Sequence, residues 1–134
     1  MDTDHSLNTA VVIGDDRGAV LKEVSATLAK AGFVVVTASN GRTALDRCRE
    51  QLRPMDLAVI DTSATGIRPQ EVARQLHEAA PRVRMLFLSD GDAETISDTE
   101  SPGHVRRFLR QPFRRARFLG RVLEMMEQPR AAGV

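Results

Sequence analysis

Apolar and polar residues alternate in two distinct patterns along this chain of 134 residues. Short segments rich in branched apolar residues are typical of buried strands, and we predict five of them, at 10–13, 33–37, 57–61, 83–88 and 105–110. Between these segments, apolar side chains recur every three or four positions, which indicates amphipathic helices. The pattern therefore predicts strands that alternate with helices.

Several residues mark where the predicted helices begin and end. Gly32 supplies a stop for the first helix, and Asn40 can cap the second. The third helix is expected over Pro69–Ala80, with the proline near its first position. The last helix is expected to start near Arg114.

The segment 92–103 has a weaker pattern than the rest of the chain. It offers only Ala93 and Ile96 as apolar positions, among Thr, Ser, Asp and Glu. We predict a short or frayed helix here, or else a loop.

Strands that alternate with helices favour an α/β fold with a parallel sheet covered on both faces. We predict a doubly wound, flavodoxin-like sheet of five parallel strands in the order 2-1-3-4-5, with five helices. The domain is expected to span residues 9–127, with flexible ends at 1–8 and 128–134.

Composition narrows the class of protein. Hydrophobic residues make up 42% and charged residues 28%, as in globular domains, and no apolar run is long enough for a membrane span. The acidic N-terminus lacks the basic region of a signal peptide. A single cysteine, Cys48, excludes an internal disulfide and suits a reducing cytoplasm, where we place the protein. Cys48 lies on an apolar helix stripe, as a buried thiol would, and three scattered histidines give no zinc-site spacing.

Charge is distributed unevenly along the chain. Residues 1–103 carry 11 basic and 16 acidic side chains, whereas residues 104–134 carry 8 basic and 2 acidic ones. The basic residues of the fifth strand and last helix form either a solvated face or a docking surface for an acidic partner: Arg106, Arg107, Arg110, Arg114, Arg115, Arg117 and Arg121. The absence of Trp, Tyr and a recognition-helix motif argues against nucleic acid as the partner.

Chemically useful side chains follow the predicted strands. The first strand leads to Asp15 and Asp16, the third ends at Asp61, and Ser89 and Gln111 follow the fourth and fifth. In open α/β sheets these strand ends meet at one edge, where ligands bind. Three carboxylates there would repel one another without a cation, and Mg²⁺ is the divalent ion that they suit.

Such a cluster could support phosphoryl transfer. One carboxylate could attack phosphorus to form an aspartyl phosphate, and the hydroxyl of Ser89 could bind a phosphoryl oxygen. Taken singly, the same residues have plainer roles, because acids favour helix starts and Asp is common in turns. Their occurrence at corresponding strand ends favours a site.

With these motifs in order, the chain resembles the receiver domains of bacterial two-component response regulators over residues 8–127. The matching segments are VVIGDD at 11–16, ASNGRTAL at 38–45, LAVID at 57–61, LFLS at 86–89 and FLRQPF at 108–113. The resemblance implies a signalling switch whose catalysis is limited to its own phosphorylation and dephosphorylation.

The same resemblance implies a role for each matching residue. Asp61 would be the phosphoacceptor, Ser89 the switch hydroxyl and Phe108 the aromatic switch. The Mg²⁺ ligands it implies are Asp15, Asp16, Asp61 and the backbone carbonyl of Ser63.

The resemblance also implies the partners. The phosphoryl donor would be a sensor histidine kinase or a histidine phosphotransfer protein. A protein target would bind strands four and five and the last helix, and a homodimer is compatible with this arrangement. We expect the receiver to stand alone, without an output domain.

Three features depart from the usual receiver pattern. Gln111 stands where the family has a lysine, and a neutral amide supplies no full charge. The loop after Asp61 lacks the usual Pro-Gly pattern, with Thr65 and Pro69 in those places, and segment 92–103 is unusually polar. These features leave a second hypothesis, a pseudo-receiver that binds partners without phosphorylation. A flavodoxin-like enzyme or flavin-binding protein is a third and more distant one, since a Gly-rich phosphate loop and aromatic flavin stackers are missing.

Overall fold

The computed structural model describes residues 8–51, 53–64, 68–89, 99–101 and 104–127. Its strands are β1 (Thr9–Ile13), β2 (Val34–Ala38), β3 (Leu57–Asp61), β4 (Arg84–Ser89), β5 (Thr99–Ser101) and β6 (His104–Arg110). Its helices are α1 (Ala19–Lys30), α2 (Gly41–Glu50), α3 (Pro69–Ala79) and α4 (Arg115–Met126). The predicted flexible ends lie outside these residues, apart from Asn8, whose carbonyl accepts a hydrogen bond from the Val34 amide.

The strands form one sheet in the order β2-β1-β3-β4-β6-β5. The pairs β1–β2, β1–β3, β3–β4 and β4–β6 are all parallel. Since β6 is the fifth predicted strand, the order 2-1-3-4-5 of the parallel strands is confirmed, as is the α/β fold class.

The prediction of a short helix or a loop over the polar segment 92–103 was partly wrong. Its residues Thr99–Ser101 form β5, which pairs antiparallel with β6 at the edge of the sheet. The sequence between these two strands is Pro-Gly, a pair that favours turns, so that a hairpin competes with a helix here. The rest of the segment lies outside the described residues, and the described part of the chain contains four helices instead of five.

The sheet separates two apolar cores, because successive side chains on a buried strand point to opposite faces. One face packs against α1 and α4 and includes Val12, Val59 and Leu88. The other packs against α2 and α3 and includes Ile13, Ile60 and Phe87. Burial on both faces explains why β1, β3 and β4 are almost entirely apolar.

The predicted helix signals agree with the observed ends. Gly32, just after α1, has a φ of 102°, a conformation that glycine adopts without strain. The side chain of Asn40 caps α2 by accepting a 2.8 Å hydrogen bond from the Thr43 amide. Pro69 lies in the first turn of α3.

Cys48 lies on the inner side of α2, partly buried against the core that α2 and α3 share. Burial raises the pKa of its thiol above the ordinary value, because removal from water disfavours the thiolate. This environment suits the packing role predicted for Cys48.

None of the helices in the described ranges has the length and apolar character needed to cross a membrane.

Candidate functional site at the carboxyl edge of the sheet

Asp61 is the last residue of β3 and lies at the edge where the five parallel strands end. Its backbone pairs with Leu88 of β4, while Ile60 pairs with Ile13 of β1. Gly14, which follows Ile13, therefore lies beside Asp61. The side chain of Asp61 is buried, since the residue is only 6% exposed.

Three hydrogen-bond donors meet at one oxygen of the Asp61 carboxylate. Oδ1 accepts from the Ser63 backbone amide at 3.0 Å, from the Ser63 hydroxyl at 2.6 Å and from Nε2 of Gln111 at 3.1 Å. All three donors are neutral groups. A buried carboxylate needs such donors, because burial without them would cost several kcal/mol. The orientation of Asp61 is thus fixed through Oδ1.

The second carboxylate oxygen, Oδ2, lies beside Gly14. A Cβ atom placed on Gly14 would be 3.8 Å from Oδ2 and 3.4 Å from the Cβ of Asp61. The amide of Gly14 donates to the carbonyl of Ala38, which holds this turn in place. Because Gly14 has no side chain, no Cβ atom at this position contacts the Asp61 carboxylate.

Backbone hydrogen bonds tie the ends of neighbouring strands together. The amide and hydroxyl of Thr62 both donate to the Leu88 carbonyl, at 2.9 and 2.8 Å. The backbone amide of Gln111 donates to the backbone carbonyl of Ser89 at 2.6 Å. Ser89 itself is buried, with 1% of its surface exposed, and it is the residue directly after Leu88, the partner of Asp61. The ends of β3, β4 and β6 are therefore held as one unit.

Two residues of β6 lie on opposite faces of the sheet. Phe108 pairs with Phe87 and packs, partly buried, against the core under α2 and α3. Leu109 belongs to the core under α1 and α4. The exposed Arg110 is the last residue of the strand, and it is the next residue, Gln111, that reaches Asp61.

The two acidic residues after β1 are exposed and form a turn. Oδ1 of Asp15 accepts a 3.0 Å hydrogen bond from the Arg17 amide, and the Asp15 carbonyl accepts one from Gly18. Asp16 follows in the same turn. Across the ranges that the structure describes, no three Asp, Glu, His or Cys side chains are grouped closely enough to bind a metal ion. The backbone brings Asp15, Asp16 and Asp61 to one edge, but their carboxylates do not form a ready metal site in this arrangement.

Sequence reasoning did not find two features of this site. It assigned Ser63 only a backbone carbonyl, whereas the Ser63 amide and hydroxyl both bind Asp61. It assigned Gly14 no role in the site. A hydroxyl two residues after a strand-end Asp was a usable signal for Ser63, because Ser often bonds to a nearby backbone or side chain in turns.

The arginines of β6 and α4 are mostly exposed, with exceptions. Arg110, Arg114, Arg115 and Arg117 are exposed, while Arg107 is buried. Arg121 is partly buried and pairs with Glu124 across 3.3 Å. The predicted basic surface is therefore made mainly by the exposed arginines after β6.

Comparisons with known proteins agree with this geometry. Residues 11–123 match the family model described as the response regulator receiver domain. A search of curated proteins found no match.

Solved structures of receiver domains share the fold. A response regulator receiver protein from Sinorhizobium medicae WSM419 is 23% identical, with a TM-score of 0.72 over 89% of this chain and 94% of that one. The receiver domain of the hybrid histidine kinase CckA is 19% identical, with a TM-score of 0.72 over 90% and 100%. The beryllofluoride-activated NtrC4 receiver domain dimer is 21% identical, with a TM-score of 0.70 over 89% and 96%.

The family match spans most of the chain, and the order of the parallel strands agrees with it. The chain therefore belongs to the response regulator receiver domain family, whose members are phosphorylation-type signalling switches.

Proposed function

We propose that this receiver accepts a phosphoryl group on Asp61 from a sensor histidine kinase or a histidine phosphotransfer protein. The observation that carries the proposal is the environment of the Asp61 carboxylate. One oxygen is held by three neutral donors, and the other lies beside Gly14, which has no side chain. A carboxylate whose orientation is fixed in this way is suited to nucleophilic attack.

The transfer conserves atoms and electrons without a redox partner. A carboxylate oxygen of Asp61 forms the new O–P bond, the N–P bond of the phosphohistidine breaks, and the departing imidazole takes up a proton. Water later attacks the phosphorus, the O–P bond breaks, and inorganic phosphate leaves. Receiver domains are generally non-enzymatic, and we infer that this chain acts only on its own Asp61.

Receiver domains generally bind Mg²⁺ at an acidic pocket, and we infer the same for this one. The ligands would be Asp15, Asp16, Asp61 and the backbone carbonyl of Ser63. Since Asp15 and Asp16 are exposed and lie in a turn, their side chains can reorient at little cost. When bound, the ion supplies positive charge to the oxygens of the transferring phosphoryl group.

The output of the switch would pass through Ser89 and Phe108. Ser89 lies at the end of β4, and Phe108 lies on the adjacent β6. A shift of the end of β4 would therefore also displace β6, which pairs with it. The exposed arginines after β6 would then present a changed surface to an acidic partner protein. We place this exchange in the cytoplasm, with histidine kinases or phosphotransfer proteins as donors.

Intact mass measurement tests the proposal. The protein is incubated with Mg²⁺ and a small phosphodonor such as acetyl phosphate, and a species heavier by roughly 80 Da is expected. Asp61→Asn should abolish this species. Asp56→Asn changes a second buried carboxylate, which accepts from the Thr9 amide at the other end of β3, and it should not abolish it.

The pseudo-receiver hypothesis predicts a different outcome in the same experiment. If the wild type gains no mass and does not respond to beryllofluoride while its fold is intact by circular dichroism, then phosphorylation is not its signal. Magnesium binding is measured separately, by titration of the wild type and of Asp15→Asn. Equal affinity in the two proteins would argue against Asp15 as a ligand.

A further inference from the structure

Strand β2 forms one edge of the sheet, and among the described residues its one neighbouring strand is β1. Its sequence, VVVTA, carries no charge and is made largely of β-branched residues, which favour strands. Among the large hydrophobic residues in the described ranges, Val34 is the exposed one, with 45% of its surface accessible. The edge is therefore apolar, exposed and well suited to a further strand.

The backbone of β2 shows which residues can pair with such a strand. The Val34 amide donates to the Asn8 carbonyl, and the Ala38 carbonyl accepts from the Gly14 amide, so both residues face β1. Because the direction of the amide and carbonyl groups alternates along a strand, Val35 and Thr37 point theirs away from the sheet. These are the groups that an added strand would satisfy.

Edge strands usually carry features that prevent pairing with other chains. Charged side chains, proline and bulges are the common ones. The edge strand on the other side of the sheet, β5, contains Glu100, whereas β2 contains no charged residue and no proline. Its register with β1 runs without interruption from Val34 to Ala38. Nothing in β2 itself opposes the approach of another strand.

We propose that β2 pairs antiparallel with β2 of a second copy of this chain. A twofold axis at Val36 would place Val35 opposite Thr37 of the other copy, so that their outward amides and carbonyls exchange hydrogen bonds. An uncharged edge is compatible with itself, because no like charges are brought together. Each copy contributes the same strand, β2, to the interface.

The size of this edge sets the strength of the dimer. Five residues per copy bury much less than the roughly 1,200 Å² typical of stable specific interfaces. The association should therefore be weak and should increase with protein concentration. Asp61 lies on β3, separated from β2 by β1, so its site stays accessible in the dimer. The proposal does not depend on phosphorylation.

Sedimentation velocity over a wide range of concentration tests the proposal. The weight-average mass of the wild type is expected to rise towards that of a dimer. Val34→Lys places a charge at the exposed edge and should keep the chain monomeric. Val35→Pro should do the same, because it removes an outward amide without removing a hydrogen bond to β1. Gln70→Lys adds the same charge on an exposed position of α3 and should behave like the wild type.

A cross-link checks the predicted register. In a Cys48→Ser background, Val36→Cys would place two thiols in a non-hydrogen-bonded pair, with Cα atoms about 4.5 Å apart. An interchain disulfide is therefore expected under mild oxidation. If the wild type stays monomeric at every concentration, or if Val34→Lys and Val35→Pro dimerise like the wild type, the proposal is wrong. Circular dichroism establishes whether each variant is folded. If Val35→Pro does not fold, the comparison of Val34→Lys with the wild type decides the question.

Discussion

Nε2 of Gln111 donates a 3.1 Å hydrogen bond to Oδ1 of Asp61, joining the end of β6 to the end of β3. The same oxygen accepts two hydrogen bonds from Ser63. The carboxylate is thus held by neutral dipoles where the receiver pattern places the full charge of a lysine. We therefore expect the rate of the proposed phosphorylation of Asp61 to depend on residue 111.

Replacing Gln111 with lysine is expected to speed phosphorylation. A charged donor binds developing negative charge on the phosphoryl oxygens more strongly than an amide does, so the rate of aspartyl phosphate formation should rise roughly three- to ten-fold. The initial rate with acetyl phosphate and Mg²⁺, followed by intact mass, measures it. Gln111→Met keeps much of the side-chain length without the donor and serves as the control. An unchanged rate in Gln111→Lys would show that the charge of residue 111 does not limit the reaction.

Gly14→Ala should slow phosphorylation without unfolding the protein. The added methyl group would lie 3.8 Å from Oδ2 of Asp61, in van der Waals contact with the carboxylate that is proposed to react. Gly14 does not have a positive φ, so alanine fits the backbone, and the free energy of unfolding should change by less than about 1 kcal/mol. The rate should fall roughly ten-fold or more. Gly120→Ala, where a Cβ meets no atom within 4 Å, is the control and should leave the rate unchanged.

Ser63→Ala should loosen the hold on Asp61. It removes a 2.6 Å hydrogen bond to a buried carboxylate, which is worth about 1.5–3 kcal/mol in general, although exposure of Ser63 to solvent reduces the effect. Chemical denaturation should show a lower free energy of unfolding, and the phosphorylation rate should change with it. Ser63→Thr retains the hydroxyl and should restore both values. Equal stability of all three proteins would mean that the hydroxyl contributes nothing.

Asn40→Ala should destabilise the fold by about 1 kcal/mol. The loss follows from the 2.8 Å hydrogen bond between the Asn40 side chain and the Thr43 amide at the start of α2. Urea denaturation monitored by circular dichroism measures the difference. Asn40→Asp keeps the acceptor and should lose little, so a similar loss in both variants would contradict the capping role.

Alkylation of Cys48 should be slow in the folded protein. Because burial raises the pKa of the thiol, the thiolate fraction at mildly alkaline pH is smaller than for a free cysteine, and the thiolate is the reactive form. As the pH rises towards the raised pKa, the rate should increase. Iodoacetamide labelling followed by mass spectrometry measures it, with the protein in denaturant as the control. Equal rates in the folded and denatured protein would contradict the effect of burial.

Much of the fold could be predicted from the sequence because strands buried on both faces are nearly free of polar residues. Leu57–Asp61 shows this clearly, since every residue before the final carboxylate is apolar and buried. The short strand Thr99–Ser101 could not be predicted in this way. It is held by antiparallel pairing with β6 and contains no apolar residue that would reveal a pattern.

The candidate site was predictable at the level of the backbone and less so at the level of side chains. Parallel strands bring their carboxyl ends to one edge, so the proximity of residues 61, 89 and 111 follows from strand order. The direction of a side chain after a strand depends on local hydrogen bonds instead. The side chain of Asp15 accepts a hydrogen bond from the Arg17 amide within its own turn. The periodicity of the sequence does not predict this hydrogen bond.

Strand β6 contributes to both apolar cores through adjacent residues, Phe108 on one side and Leu109 on the other. A small rotation of this strand about its long axis would push one ring and one isobutyl group in opposite directions. The apolar cores on the two faces of the sheet would then be disturbed together. A disturbance at one strand end can thus reach both faces of the molecule at the same time.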